Sequence, residues 1–202
     1  MEYVAGLPIL DYCRQQQLVT AARLQLLLDV CAAVAFAHAQ LVVHCDLKPG
    51  NILVTASGRP MLLDFGISRL LTDSARVLDP DTQAPAAGAH LTGMAYTPRY
   101  ASPEQKAGQR VGTATDIFSL GLLLAELLDA PWPDGQSPEL ESLPDELAAI
   151  IDCATRTDPA QRYPHVDLFA ADLRHYLAGE VVQARRATPA YLARKWLHRR
   201  SA

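Results

Sequence analysis

The side chains that can do chemistry sit in two short groups. The first is His44-Cys45-Asp46-Leu47-Lys48-Pro49-Gly50-Asn51, and the second, beginning thirteen residues after Asn51, is Asp64-Phe65-Gly66. Asn51 offers an amide oxygen and Asp64 a carboxylate. Hard oxygen ligands of this kind suit Mg²⁺, which keeps several waters and takes its remaining ligands from phosphates. Asp46 lies one short loop away as a base, and Lys48 adds a positive charge where a phosphoryl group would pass. A base, a cation and two metal ligands are what phosphoryl transfer needs, because its catalysis is mostly positioning and electrostatic stabilisation.

These residues work together only if the chain brings them together. Ile52-Leu53-Val54-Thr55 and Met61-Leu62-Leu63 read as two short strands, joined by the turn signal Ala56-Ser57-Gly58-Arg59-Pro60. Asn51 precedes the first strand and Asp64 follows the second. A hairpin returns its ends to one place, so the amide and the carboxylate converge. Upstream, a helix is expected from about Thr20, read as its N-cap, to Gln40. Leu24, Leu27, Leu28, Cys31, Val34, Ala35 and His38 form its apolar face. Asp116 to Leu128 reads as a helix apolar on nearly every side and therefore central. Helices near 144–156, 165–178 and 189–199 follow. Residues 72–91, rich in Ala, Asp and Pro without a period, read as a mobile surface loop. The pattern is α+β, mainly helical with one small hairpin.

With 202 residues, half of them hydrophobic, the chain has the size and composition of one globular domain. A net charge of −4 gives no ground for nucleic acid as the main partner. The charge is uneven: from Arg185 onward there are six cations (Arg185, Arg186, Arg194, Lys195, Arg199, Arg200) and no acid. Such a run suits either contact with an anionic partner or membrane surface, or a solvated helix end. Cys13, Cys31, Cys45 and Cys153 form no Cys-x-x-Cys pair, which suits free thiols in a reducing cytoplasm.

The order His-x-Asp-Leu-x-x-x-Asn followed by Asp-Phe-Gly resembles the signature of eukaryotic-type protein kinases in bacterial form. Nearly the whole chain shares the resemblance. Tyr96-Thr97-Pro98-Arg99-Tyr100-Ala101-Ser102-Pro103-Glu104 is similar to the segment that ends the activation loop. It implies that Thr97 bonds the catalytic Asp46 and Lys48. Asp116-Ile117-Phe118-Ser119-Leu120-Gly121 resembles the start of the central helix, whose Asp holds the backbone of the catalytic loop. Arg162, in Asp158-Pro159-Ala160-Gln161-Arg162-Tyr163, would pair with Glu104. His44, Phe65 and Gly66 would be structural parts of the two signature motifs. Asn51 and Asp64 would hold Mg²⁺. Cys45 stands where the family usually carries an Arg that pairs with a loop phosphate. A thiol offers no such cation, which implies activity that does not depend strongly on loop phosphorylation.

Met1-Glu2-Tyr3-Val4-Ala5-Gly6 resembles the family's hinge, with the backbone near Glu2 and Val4 bonding the adenine of ATP and Leu53 as the floor beneath it. No Gly-rich loop and no Val-Ala-Ile-Lys strand occur in the 202 residues. The resemblance therefore implies a hinge plus C-lobe over residues 1–180 and a basic tail over 181–202. Two functions follow. One is a Ser/Thr kinase acting on protein hydroxyls, in which these residues alone are inactive. The other is a C-lobe kept as a docking module. The intact Asp46, Lys48, Asn51 and Asp64 favour the first, since a docking module does not need them.

Overall fold

The computed structural model describes residues 5–63, the backbone of 69–70, and residues 97–133, 136–189, 191–192 and 195. Glu2, Val4, Asp64, Phe65, Gly66 and the loop 72–91 lie outside the described residues. The chain opens with strand β1 (Leu7–Pro8), helix α1 (Ile9–Gln15) and the long helix α2 (Thr20–Ala39). Strand β2 (Val42–Val43) leads to a single 3₁₀ turn at Pro49–Asn51, followed by β3 (Ile52–Val54), β4 (Pro60–Leu62) and β5 (Arg69–Leu70). Further along, the described helices are α3 (Pro103–Lys106), α4 (Thr113–Leu127), α5 (Asp145–Ala154) and α6 (Val166–Leu177).

The hairpin forms as its sequence implies. Leu53 pairs with Met61 in the antiparallel β3–β4 ladder, and β1 adds to the other side of β3. Gly6, just before β1, lies so close to β3 that a Cβ there would sit 2.8 Å from the Val54 carbonyl oxygen. The absence of a side chain is thus what admits the segment. Alternation sorts β3 by face: Ile52 and Val54 are buried, and Leu53 is half-exposed on the opposite face. β2 pairs separately with β5.

Helix α2 begins one residue earlier than its cap signal suggests. Val19, not Thr20, occupies the N-cap, with no side-chain cap bond. The start is held instead by Arg23, whose Nε donates to the Leu18 carbonyl and whose Nη1 donates to the Leu127 carbonyl. By length and composition α2 is apolar enough to cross a membrane, yet Leu24, Leu27, Val30, Cys31 and Val34 are buried in the main core, against α4 and α6. Burial pushes the Cys31 thiol up to about 12, so it stays a protonated, unreactive core group.

Helix α4 is the centre of the fold. Every residue from Thr115 to Ala125 is buried. Its contact with α5 leaves no space at Gly121, where a Cβ would lie 2.7 Å from the Ala154 Cβ and 2.9 Å from the Thr155 Cγ2. Gly121→Ala is therefore expected to destabilise the fold. Overpacking costs about 1–3 kcal/mol, offset by up to ~1 kcal/mol from the better helix propensity of Ala. Urea denaturation of the two proteins measures the difference, which should be a net loss.

Candidate active site

The 44–51 loop leaves β2 and is caught at once by the central helix. Asp116, fully buried in the first turn of α4, accepts the His44 N–H on Oδ2 and the Cys45 N–H on Oδ1, each at 2.8 Å. A third donor reaches the same carboxylate from α2: His38 Nε2, 2.8 Å from Oδ2. Cys45 is then forced to a φ of +67°, a left-handed conformation unusual for a residue with a Cβ. It is held there from both sides. Its N–H is fixed on Asp116, and its carbonyl accepts Gln105 Nε2 at 2.7 Å. The Cys45 side chain itself is buried.

This bend turns the next residue, Asp46, toward a set of donors. Lys48 Nζ donates to its Oδ2 at 2.7 Å and Asn51 Nδ2 to the same oxygen at 3.0 Å. The Thr97 N–H approaches Oδ1 at 3.3 Å. Lys48 also donates to Thr97 Oγ1 at 2.8 Å. Asn51 commits its second amide hydrogen to the Asp46 carbonyl at 2.8 Å. Both Nδ2 hydrogens are thereby used, which leaves Oδ1 as the atom able to face a cation. The Asp46 N–H donates to His44 Nδ1, so the His44 proton is on Nε2, which donates to the Leu63 carbonyl at 3.0 Å. The Leu63 N–H in turn donates to the Asn51 carbonyl at 2.8 Å. The residue before Asp64 is thus tied directly to Asn51.

Thr97 is positioned from α4. The Tyr100 N–H donates to the Thr97 carbonyl at 3.0 Å, and Ser119 Oγ donates to the Tyr100 carbonyl at 3.0 Å. Tyr100 packs on Phe118 and Leu122, and its hydroxyl donates to Glu126. Downstream, Ser102 and Gln105 form a reciprocal cap at the start of α3. Glu104 there meets Arg162 in a two-pronged pair at 2.8 Å on both prongs. Arg162 uses all five of its donors. The remaining three go to the carbonyls of Arg156, Ala114 and Thr157.

The structure thus brings Asp46, Lys48, Asn51 and Thr97 into one network, places His44 and Asp116 beneath it, and joins Glu104 to Arg162. Leu53 lies apart from that network on the open face of β3. Two residues escaped the sequence reading. His38 read as one more position on the apolar face of its helix. Gln105 was detectable, because Ser102-x-x-Gln105 has the spacing of a capping box. Beside the hairpin, α2 and β4 enclose an apolar groove of about 940 Å³, lined by Ala33, Phe36, Met61 and Leu62 among others, with Phe36 71% exposed.

The protein kinase domain family matches the chain over residues 1–197. The chain therefore belongs to that family. Among its relatives, serine/threonine-protein kinase PknB of Mycobacterium tuberculosis is 31% identical over 203 residues, covering 91% of this chain and 31% of the relative. A probable serine/threonine-protein kinase of Streptomyces coelicolor is 30% identical over 212 residues, covering 96% of this chain and 30% of the relative. A probable PknB of Bifidobacterium longum is 29% identical over 208 residues, 94% of this chain and 29% of the relative. The chain thus spans about a third of the length of these curated relatives.

The Glu104–Arg162 pair has a consequence in acid. Burial would raise the Glu104 carboxyl, but the Arg162 guanidinium and the Thr115 hydroxyl outweigh it and hold the group below its ordinary value. A depressed carboxyl contributes stability that is complete above its unfolded value, about 4.3, and is lost as pH falls through the lower folded value. Glu104→Gln should remove that acid-side loss. It should also lower stability near neutrality by about 3–5 kcal/mol, because Arg162 keeps a buried charge without its partner. Urea denaturation from about pH 7 to about pH 3 measures both effects.

Proposed function

We propose that these residues are the catalytic-loop lobe of a serine/threonine protein kinase that transfers the γ-phosphate of ATP to protein Ser or Thr hydroxyls. The observation that carries the reading is the network around Asp46, with a carboxylate, an ammonium, an amide and a Thr hydroxyl held at 2.7–3.3 Å on a loop fixed by Asp116. In this reading Asp46 orients the substrate hydroxyl and takes its proton. Lys48 has three donors and spends two on Asp46 and Thr97. The third is left for an oxygen of the phosphoryl group. Thr97 ties the substrate-side segment to both.

Asn51 Oδ1 and Asp64 are the residues that would hold Mg²⁺. Their chemistry fits the ion, as two hard oxygens on adjoining ends of one hairpin. Mg-ATP, when bound, supplies the phosphoryl group and the charge that neutralises it. The half-exposed Leu53 is the floor for adenine, with the segment around Glu2 and Val4 as its edge. The apolar groove between α2 and β4 suits packing by an ATP-binding lobe. Relatives named as Ser/Thr kinases support the same activity. We place the protein on the cytoplasmic side, where ATP and reduced thiols coexist.

Two experiments test this. With Mg-ATP, these 202 residues alone should show weak heat of binding and no turnover, because the Gly-rich loop and Val-Ala-Ile-Lys strand that cover the phosphates are not among them. Micromolar affinity or measurable transfer by calorimetry and a radiolabel assay would contradict that. In a protein where they follow an ATP-binding lobe, Asp46→Asn should cut kcat by roughly 10²-fold or more with little change in ATP affinity. Retained wild-type turnover would remove Asp46 from the role of base.

A further inference from the structure

The basic run after Arg185 is not wholly a solvated tail. Its first part is folded back on the lobe. Val182 is fully buried in the main core. Asp172 on α6, 1% exposed, accepts the Gln183 N–H at 2.7 Å and the Ala184 N–H at 2.8 Å, and also the Tyr163 hydroxyl at 2.8 Å. Tyr191 is buried, and its hydroxyl accepts the Val182 N–H at 3.0 Å. The segment is thereby closed on itself as well as on α6.

Two cations of the run are turned inward by this closure. Arg185 lies 4.5 Å over the Tyr191 ring and donates to Asp145 Oδ2 at 2.7 Å. Lys195 Nζ is 2.9 Å from Glu146 Oε1. Asp145 and Glu146 form the first turn of α5. The Arg185 pair is open to solvent at Asp145 and correspondingly screened, whereas the Lys195 pair is largely enclosed on both sides.

We infer that residues 182–195 form a latched basic strap whose target is an anionic phospholipid bilayer, and that the α5 acids Asp145 and Glu146 compete with the bilayer for Arg185 and Lys195. A bilayer fits better than another anionic surface because the run interleaves cations with apolar groups. Leu192 is 42% exposed, and the sequence around it alternates cations with Tyr191, Leu192, Trp196 and Leu197. Closed, the strap keeps Arg185 and Lys195 on the α5 acids; open, it frees both for the bilayer. Two more cations near an anionic surface strengthen binding by up to roughly thirtyfold, less the cost of releasing them from α5.

The test is co-sedimentation of the 202-residue chain with vesicles of phosphatidylcholine alone and of phosphatidylcholine mixed with phosphatidylserine. The wild type should bind only the anionic vesicles. Opening the latch with Asp145→Asn plus Glu146→Gln should raise that affinity roughly tenfold, weaken with added salt, and speed amide exchange at Gln183 and Ala184. Glu139→Gln plus Glu141→Gln makes the same change in net charge at exposed acids outside the strap, and should give a much smaller gain. Tyr191→Phe, which removes the hydroxyl that accepts the Val182 N–H and bonds the latch acid Glu146, should fall between, and it carries the test if the double variant does not fold. An equal gain from the control pair would overturn the latch, leaving bulk charge as the cause. So would unchanged vesicle affinity with faster exchange, equal binding to neutral vesicles, or a gain seen for single-stranded nucleic acid but not for vesicles.

Discussion

The carboxylate of Asp116 is the constraint on which the site depends. A buried carboxylate is costly unless donors replace the water it has lost. Asp116 has three, and two of them are consecutive main-chain N–H groups, those of His44 and Cys45. Two adjacent N–H groups aimed at one carboxylate leave the chain little choice of path. Cys45 is therefore driven into a left-handed conformation that costs of order 1–3 kcal/mol in isolation. The next residue, Asp46, emerges facing Lys48, Asn51 and Thr97. The geometry of the loop is set from below, by the helix, rather than by the loop itself.

The same helix fixes the other side of the site. Thr115 Oγ1, one residue before Asp116, donates to Glu104 Oε1 at 2.9 Å, and Arg162 closes on the same carboxylate. Ser119, one turn on, holds the Tyr100 carbonyl. Thr115, Asp116 and Ser119 thus tie α4 to the segment from Thr97 to Glu104 and to the 44–51 loop at once. Buried ion pairs such as Glu104–Arg162 add little net stability, because desolvation offsets attraction. With all five guanidinium donors used, this pair acts as a fixed joint. It keeps Thr97 in register with Asp46 through elements far apart in sequence.

Much of this was legible in the residue string where partners are local. The turn residues between Thr55 and Pro60 imply the hairpin, and the hairpin implies that Asn51 and the residues before Asp64 meet. The near-continuous apolar run of α4 implies its central position. What escaped was non-local. His38 lies 78 residues from Asp116, and nothing in the helical period of α2 separates a buried polar partner from one more apolar position. Gln105 serves both as a cap for α3 and as the support of Cys45, and only the first function leaves a local spacing. Thr20 looks like a cap, but Arg23 supplies tertiary anchors that let Val19 take the position. The docking of Lys195 on Glu146 spans 49 residues and is absent from any pattern of the tail alone.

Amide hydrogen exchange at His44 and Cys45 tests most directly whether Asp116 fixes the site. These N–H groups lie in a loop, where exchange is ordinarily fast. Held on a buried carboxylate, they should exchange nearly as slowly as the core of α4. In Asp116→Asn the replaced oxygen can no longer accept one of them, and each charged hydrogen bond lost is worth about 1.5–3 kcal/mol, so exchange at one or both should rise roughly 10–100-fold while α5 and α6 stay protected. Fast exchange at both amides in the native protein, or no change in the variant, would show that the loop holds its shape without Asp116.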